Sequence, residues 1–307
     1  AERRGIDSHG LVRLAQYLRH VDDGDMKASP NLRVVEVAPA VALVEADFAA
    51  GPIAMSAALE AALERARQCG IGLALARETT HTAALGWYTS RAAQRGFAAI
   101  AFSDAPPQMA YHGARGAAVS TGPFSIAVPA DPEPVLFDMA SSVVGLGKLL
   151  QTGKRGGVIQ PGWATDEEGN PSTDPARATI PLPIAGAKGS GLSLMIELLT
   201  GVMSGNPVIA DALLDKDGRH RQNGLVIAID VARFGSLEGF RREVERLAGA
   251  IHGLPPSDAD APVRLPGERG SALAARRQVE GVPLPPPLVK TLKDIAAKRG
   301  VAFPDPR

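Results

Sequence analysis

GLALARETTHTAALGWYTSRAAQRGFAAIAF, residues 72–102, reads as strand, polar turn, helix, strand. Gly72–Arg77 is an apolar run of strand length, and Ala83–Arg95 is a helix closed by Gly96. Phe97–Phe102 is a second buried strand. Glu78-Thr79-Thr80-His81-Thr82 falls where a strand ends and a helix starts, the place at which α/β proteins bind anionic ligands. Thr82, Ala83 and Ala84 are small enough to let a ligand reach the backbone. His81 in this position also suits a simple helix cap.

Outward from this unit the pattern repeats in kind. Val34–Val37 and Val41–Glu45 are short strands around Pro39, and Phe124–Val128 and Val135–Asp138 flank the Pro129–Pro134 turn. Gly224–Asp230 is one more strand. Helices are expected over 7–19, 52–69, 141–152, 191–203, 240–251 and 286–299, with Asp7 or Ser8 capping the first and Pro52 opening the second. Leu11, Leu14 and Leu18 mark an apolar stripe expected to pack inward. Trp163–Pro175 is a polar, turn-rich stretch and Pro255–Pro266 a linker. Strands as hairpin neighbours and as βα units together predict an α/β protein with a mixed sheet.

Thirty-three basic and 33 acidic side chains cancel, so no long-range field favours nucleic acid or an anionic membrane. No apolar run is long enough to span a bilayer. Cys69 is the sole cysteine, which excludes an intrachain disulfide and suits a reducing cytoplasm. The histidines (9, 20, 81, 112, 220 and 252) show no His-x-x-x-His pair, so no metal is expected. The opening Ala1-Glu2-Arg3-Arg4 reads as a start within a longer protein. Small ligands are the expected partners.

In Asp7-Ser8-His9-Gly10-Leu11-Val12-Arg13, helical spacing puts His9 and Arg13 on one face, with Tyr17 a turn further on. An arginine can grip a carboxylate with two parallel hydrogen bonds, while a histidine gives or takes the proton on a C2 oxygen. Ser8 can orient His9. The same spacing also suits a solvated helix face. Glycine turns at Ser120–Pro123, Gly145–Lys148 and Gly186–Gly191 can cradle phosphate, but none has the Walker or Rossmann spacing.

Taken in order, several motifs resemble the type-2 malate/L-lactate dehydrogenase family, whose relatives include ureidoglycolate and L-sulfolactate dehydrogenases and Δ1-piperideine-2-carboxylate reductases. They are Arg4–Gly10 with Arg13, His81, Thr121-Gly122-Pro123, Asp138–Ser142, Gly162–Asp166, Thr173-Asp174-Pro175, Lys188-Gly189-x-Gly191-Leu192 and Pro266-Gly267-Glu268. The resemblance implies a nicotinamide-binding fold unlike the Rossmann domain, using NAD or NADP, in a cytoplasmic homodimer acting on a small carboxylate. It implies a largely helical substrate domain from both chain ends (1–70 and 255–307) and an NAD(P)-binding domain over 71–254. Ser8 and His9 would form the acid/base dyad, Arg13 would hold the carboxylate, and His81 would be an alternative proton carrier. His81, Thr82, Thr121, Gly122, Pro123, Asp138, Met139, Ala140, Ser141, Lys188, Gly189, Pro266, Gly267, Glu268 and Arg269 would line the cofactor. The chain departs from the family pattern in carrying Gly122 for a common Asn, Ser120 for Gly, Thr82 for Phe and Asp104 for Asn. Those departures motivate a second expectation, an inactive relative that binds a nucleotide or metabolite as sensor or scaffold.

Overall fold

The structure, a computed structural model, describes residues 1–154, 157–214 and 221–304; His220 lies outside them. Short 3₁₀ turns at Glu2–Arg4, Asp7–His9 and Leu11–Arg13 lead into α1 (Leu14–Asp22). There follow β1 (Arg33–Ala38), β2 (Val41–Glu45), α2 (Gly51–Cys69), β3 (Ile71–Thr79), α3 (Gly86–Gln94) and β4 (Phe97–Ser103). The short strands β5 (Met109–Ala110) and β6 (Ala117–Val119) precede β7 (Phe124–Val128), β8 (Val135–Met139) and α4 (Leu146–Lys154). After β9 (Ala164–Thr165) and β10 (Ile180–Pro181), α5 (Ala187–Glu197) continues into a π turn, Leu198–Val202. The chain then forms α6 (Ile209–Leu214), β11 (Gln222–Asp230), α7 (Leu237–His252), α8 (Glu268–Glu280) and α9 (Pro286–Lys298).

The main sheet has the order β1-β2-β3-β11-β4-β7-β8, parallel between β2 and β3 and antiparallel elsewhere. It is a mixed sheet with flanking helices, as the strand patterns imply. Inserting β11 between β3 and β4 sets Gln222 opposite Thr79 and Gly224 opposite Ser103. A residue near the start of β11 therefore touches the ends of both neighbours.

Alanine governs the core. Ala54, Ala58, Ala62 and Ala66 of α2 are fully buried, as are Ala74 and Ala76 of β3, Ala99 and Ala101 of β4, and Ala228 of β11. Short side chains on both surfaces let α2 lie close on the sheet. Pro52 pre-sets the first turn of α2, and Gly70 ends it in the left-handed region, its N–H bonded to Ala66 O at 2.8 Å. The core continues from β2 through α2 into β3.

Several boundaries differ from expectation, for local reasons. The helix expected over 7–19 is two 3₁₀ turns and then α1, because Gly10 adopts φ −107° and ψ −138°. Leu11 and Leu14 are consequently 41% and 40% exposed rather than packed inward. α3 starts at Gly86, not residue 83, since Ala83 is left-handed at φ 60°. α4 starts at Leu146, not residue 141. α7 starts earlier than expected, at Leu237, where Ser236 Oγ accepts from Gly239 N at 3.0 Å. α8 was not expected at all.

A Cβ on Gly72 would stand 2.0 Å from Ala62 O of α2. Gly72→Ala should therefore destabilise the fold by about 1–3 kcal/mol, through forced separation of helix and sheet. Urea unfolding checks this; an unchanged midpoint would show that the α2–sheet contact yields without cost.

Candidate active site

Two imidazoles meet at one end of the sheet. Asp7–His9 carries His9 in its 3₁₀ turn, and the β3–α3 connection carries His81. Their rings stack with centroids 5.2 Å apart. Ser8 Oγ lies 2.8 Å from His9 Nδ1, and the Tyr17 hydroxyl of α1 lies 2.9 Å from His81 Nδ1 and 3.1 Å from His81 O. A carbonyl can only accept, so a phenol that donates to His81 O leaves the Nδ1–H of His81 as donor to the phenol oxygen.

Arg13 closes the group. Its Nε donates to Ser8 O at 2.7 Å and one terminal nitrogen to Gln16 Oε1 at 2.8 Å. No carboxylate among the described residues pairs with it. Burial lowers the Arg13 pKa, and burial followed by the Arg13 charge lowers that of His9 to about 4. His9 is therefore neutral at pH 7. Burial raises Tyr17 to about 12, so it remains a protonated donor.

The His81 segment is held at every step. Thr79 and Thr80 hydroxyls donate to Ala49 O, Thr82 Oγ1 donates to Ser103 Oγ at 3.1 Å, and Tyr88 donates to Thr82 O at 2.7 Å. Gly51, at the start of α2, lies against the His81 backbone so closely that a Cβ there would stand 2.2 Å from His81 O.

A cleft of about 940 Å³ opens in front of His9, Arg13 and Tyr17. Ala83, Ala84 and Trp87 line it, together with Asp138, Pro266, Gly267 and Arg269. Trp87 carries Arg91 over its ring at 4.7 Å. Asp138 Oδ2 accepts from Gly86 N at 2.9 Å; burial raises its pKa, while that bond and Arg4 oppose the rise. Arg4 donates to Gly267 O at 3.0 Å and so ties the start of the chain to the turn before α8.

The sequence-expected residues divide into groups. Ser8, His9, Arg13 and His81 come together, and Asp138, Pro266, Gly267 and Arg269 join them around the cleft. Met139, Ala140 and Ser141 continue from Asp138, and Ser141 bonds Thr121 O through both N (2.8 Å) and Oγ (2.8 Å). Gly122 and Gly189 also touch Ser141. Pro123 precedes β7, whose Phe124 pairs with Met139. This second group, with exposed Lys188 at the start of α5, lies beyond the lining of the cleft itself. Glu268 points elsewhere: it accepts from Leu265 N at 3.0 Å and meets His252 Nε2 at 2.8 Å. Thr82 is buried against Ser103. Sequence reasoning noted Tyr17 without assigning it a role, and did not select Trp87, Arg91 or Arg4. The aromatic–cation spacing Trp87-x-x-x-Arg91 was the available signal for the first pair.

Residues 1–293 match the family model described as malate/L-lactate dehydrogenase. The (2R)-3-sulfolactate dehydrogenase (NADP(+)) of Chromohalobacter salexigens is 35% identical over 97% of this chain and 89% of its own length. The ureidoglycolate dehydrogenase (NAD(+)) of Escherichia coli K12 is 32% identical over 92% and 82%. The solved malate dehydrogenase of Pyrococcus horikoshii OT3 superposes with a TM-score of 0.88 at 28% identity, covering 99% of this chain and 87% of that one. Nothing in these comparisons supports an inactive nucleotide-binding relative.

Between pH 6.5 and about 4 the unfolded chain binds more protons at residue 9 than the folded one, so stability falls as pH drops through that window. His9→Asn should flatten this acid slope, on the order of 2–3 kcal/mol in all. Urea unfolding at stepped pH reads it; an unaltered slope would place the acid-sensitive group elsewhere.

Proposed function

The chain belongs to the malate/L-lactate dehydrogenase family, and from that premise we propose that its cleft holds NAD or NADP beside a small 2-keto or 2-hydroxy acid and interconverts the two acid forms. The observation that carries this reading is Arg13, a half-buried guanidinium with which no carboxylate among the described residues pairs, set beside a neutral imidazole. Such a site asks for an anion.

The residues present suit a dinucleotide. Small side chains at Ala83 and Ala84, the indole of Trp87 and the guanidinium of Arg91 offer backbone access, a stacking face and charge for a diphosphate. Gly267, left-handed at φ 92°, leaves no room for a Cβ against Leu136 O, so the turn before α8 can approach the cleft closely. We assign Thr121–Pro123, Asp138–Ser141, Lys188 and Gly189 to the remaining length of the cofactor; the continuity of Asp138 with Ser141 supports this. A bound nicotinamide supplies or accepts the hydride at C2.

Arg13 holds the substrate carboxylate through paired hydrogen bonds and so fixes which face of C2 is presented. His9, neutral in the open cleft, takes the proton from a C2 hydroxyl on oxidation. Binding of the carboxylate offsets the Arg13 charge and raises the His9 pKa, so in the reverse direction the imidazolium can return that proton. Ser8 orients the His9 ring. His81, anchored by Tyr17, stacks behind it and is the alternative proton carrier. A homodimer also belongs to this reading; the exposed apolar side chains Met195, Leu198, Leu199, Val202 and Met203 along α5 and its π turn support one.

NADH or NADPH oxidation, followed by absorbance against 2-keto acids and Δ1-piperideine-2-carboxylate, tests the proposal. His9→Ala should lower kcat by about 10²–10⁴-fold while cofactor affinity, measured by calorimetry, holds. Cofactor binding with no turnover on the whole panel would overturn the reading. Arg13→Lys should act chiefly on KM, raising it about ten- to a hundredfold as roughly 1.5–3 kcal/mol of charge-assisted bonding is lost. An unchanged KM would remove Arg13 from carboxylate recognition.

A further inference from the structure

Behind the His81 segment, outside the cleft, lies a buried pair of carboxyls. Asp104 follows β4 and Glu197 ends α5; their residues are 1% and 3% exposed. A Cβ on Gly201 would stand 2.7 Å from Asp104 Oδ2 and 2.9 Å from Glu197 Oε1, which makes the two carboxyls close neighbours. Glu197 Oε1 accepts from Val208 N (2.9 Å) and Ile209 N (3.1 Å), whereas its Oε2, also buried, has no hydrogen-bond partner among the described residues. The surrounding elements supply no counter-ion among the described residues. Arg77 of β3 is turned to Ser204 O (3.2 Å) and Glu45 (2.9 Å), Glu78 presents its backbone N–H, and Asp211 of α6 faces Arg221 at 3.9 Å. β11 presents the neutral Asn223. Two like charges with no cation are not sustained at such a place.

The hydrogen bonds around Asp104 leave a place for the missing proton. Asp104 Oδ1 accepts from Asn223 N at 2.5 Å, and Oδ2 accepts from Asn223 Nδ2 at 2.7 Å. Oδ2 also lies 3.0 Å from Thr200 Oγ1, which is itself 2.7 Å from Ile196 O. Thr200 has one hydroxyl proton, and Ile196 O can only accept. Donation to Ile196 leaves the Thr200 oxygen as acceptor, and a proton on Asp104 Oδ2 completes the second bond. Burial, and then the Glu197 charge, push the Asp104 carboxyl upward, against the hydrogen bonds from Asn223 and Thr200, which oppose the rise.

The pair is wired to the active site. Asn223 Oδ1 accepts from Glu78 N at 3.3 Å, and Ser103 Oγ donates to Asn223 O at 2.9 Å while accepting from Thr82 Oγ1 at 3.1 Å. Both ends of the His81 segment thus hang on residues 103 and 223, and residue 223 hangs on Asp104. We propose that Asp104 carries the proton that keeps this carboxyl pair buried, that through Asn223 it positions the segment bearing His81, and that loss of this proton sets the alkaline limit of activity. Asp104 is a positioning residue, and the activity limb of the proposal rests on the dehydrogenase reading.

The sign follows from linkage. A carboxyl raised in the folded state binds more protons there than in the unfolded chain, so its stabilisation is complete at low pH and is lost as pH rises through the raised value. Asp104→Asn replaces the protonated acid by its neutral isostere. Between about pH 4 and about pH 7 the unfolding temperature of the wild type should fall relative to that of Asp104→Asn, the His9 slope being common to both, and the difference should level off above that window. In the wild type the His81 Cε1–H NMR resonance should show an alkaline inflection tracking that decline, absent in Asp104→Asn. Wild-type kcat should fall by about tenfold per pH unit past the same inflection, and the variant should keep its rate. An inflection that persists unchanged in Asp104→Asn overturns the proposal. If no acid is turned over, the dehydrogenase reading fails, while the unfolding and NMR measurements still decide the proton and the positioning. Should Asp104→Asn fail to fold, Glu197→Gln should move the inflection to lower pH by removing the neighbouring charge, and an unmoved inflection is equally fatal.

Discussion

The backbone of residues 78–83 is the constraint on which the site depends. Glu78 and Ala83 are both left-handed, at φ 55° and 60°, without being glycine. Each such residue costs on the order of 1 kcal/mol and persists only where its surroundings over-determine it. Here they do: β3 and β11 fix one end, Tyr88 and Ser103 the other, and α2 presses Gly51 against the middle. The placement of His81 is a consequence of how closely an alanine-faced helix lies on an alanine-faced sheet. Core packing and chemistry are in this respect one problem.

Electrostatics supply the second half. His9 and Arg13 are each held below their ordinary pKa in the open cleft, and for His9 the Arg13 charge adds to burial. The imidazole is thereby kept neutral, and no carboxylate among the described residues pairs with the guanidinium. A single negative charge on a ligand relieves both conditions together, since it pairs Arg13 and removes the repulsion at His9. Affinity for a carboxylate and the basicity of the proton carrier are thus coupled through one ligand group. The pair is poised for an anion before any anion arrives.

Elements with strict short-range patterns were legible in the residues. Phe97–Phe102, read as a buried apolar strand, is β4, whose positions alternate buried and half-buried, and Pro52 and Gly70 bracket α2. The convergence of His9, Arg13 and Tyr17 was inferred from α-helical spacing, yet the backbone that delivers it is 3₁₀ with a break at Gly10, so the grouping held where the geometry did not. α8 was missed because its sequence, Glu268 to Glu280, is predominantly polar and charged, and its opening was taken as ligand-lining. The acidic side chain at that opening turns instead to Leu265 N and His252, an arrangement consistent with the preference for acidic residues at helix starts. Tyr17 with His81, and Asp104 with Asn223, are contacts between residues 64 and 119 positions apart, and no local pattern announces them.

The departures from the family pattern become intelligible in three dimensions. Ser120, Gly122 and Asp104 are scattered in sequence but all face α5 or its π turn. Ser120 O accepts from Ser193 Oγ at 2.7 Å, and a Cβ on Gly122 would stand 2.9 Å from Ser193 Cα. Asp104 meets Thr200 and Glu197. Thr82, the fourth, reaches the same wall through Ser103. Gly122 is left-handed at φ 43°, where a side chain would be both strained and crowded by Ser141, so its small size matches the serines around it. Ser8, His9, Arg13 and His81, by contrast, fit the motif on which the resemblance rests and come together beside the cleft. The four departures from the expected motif thus lie along one supporting wall, apart from the groups suited to a carboxylate and a proton.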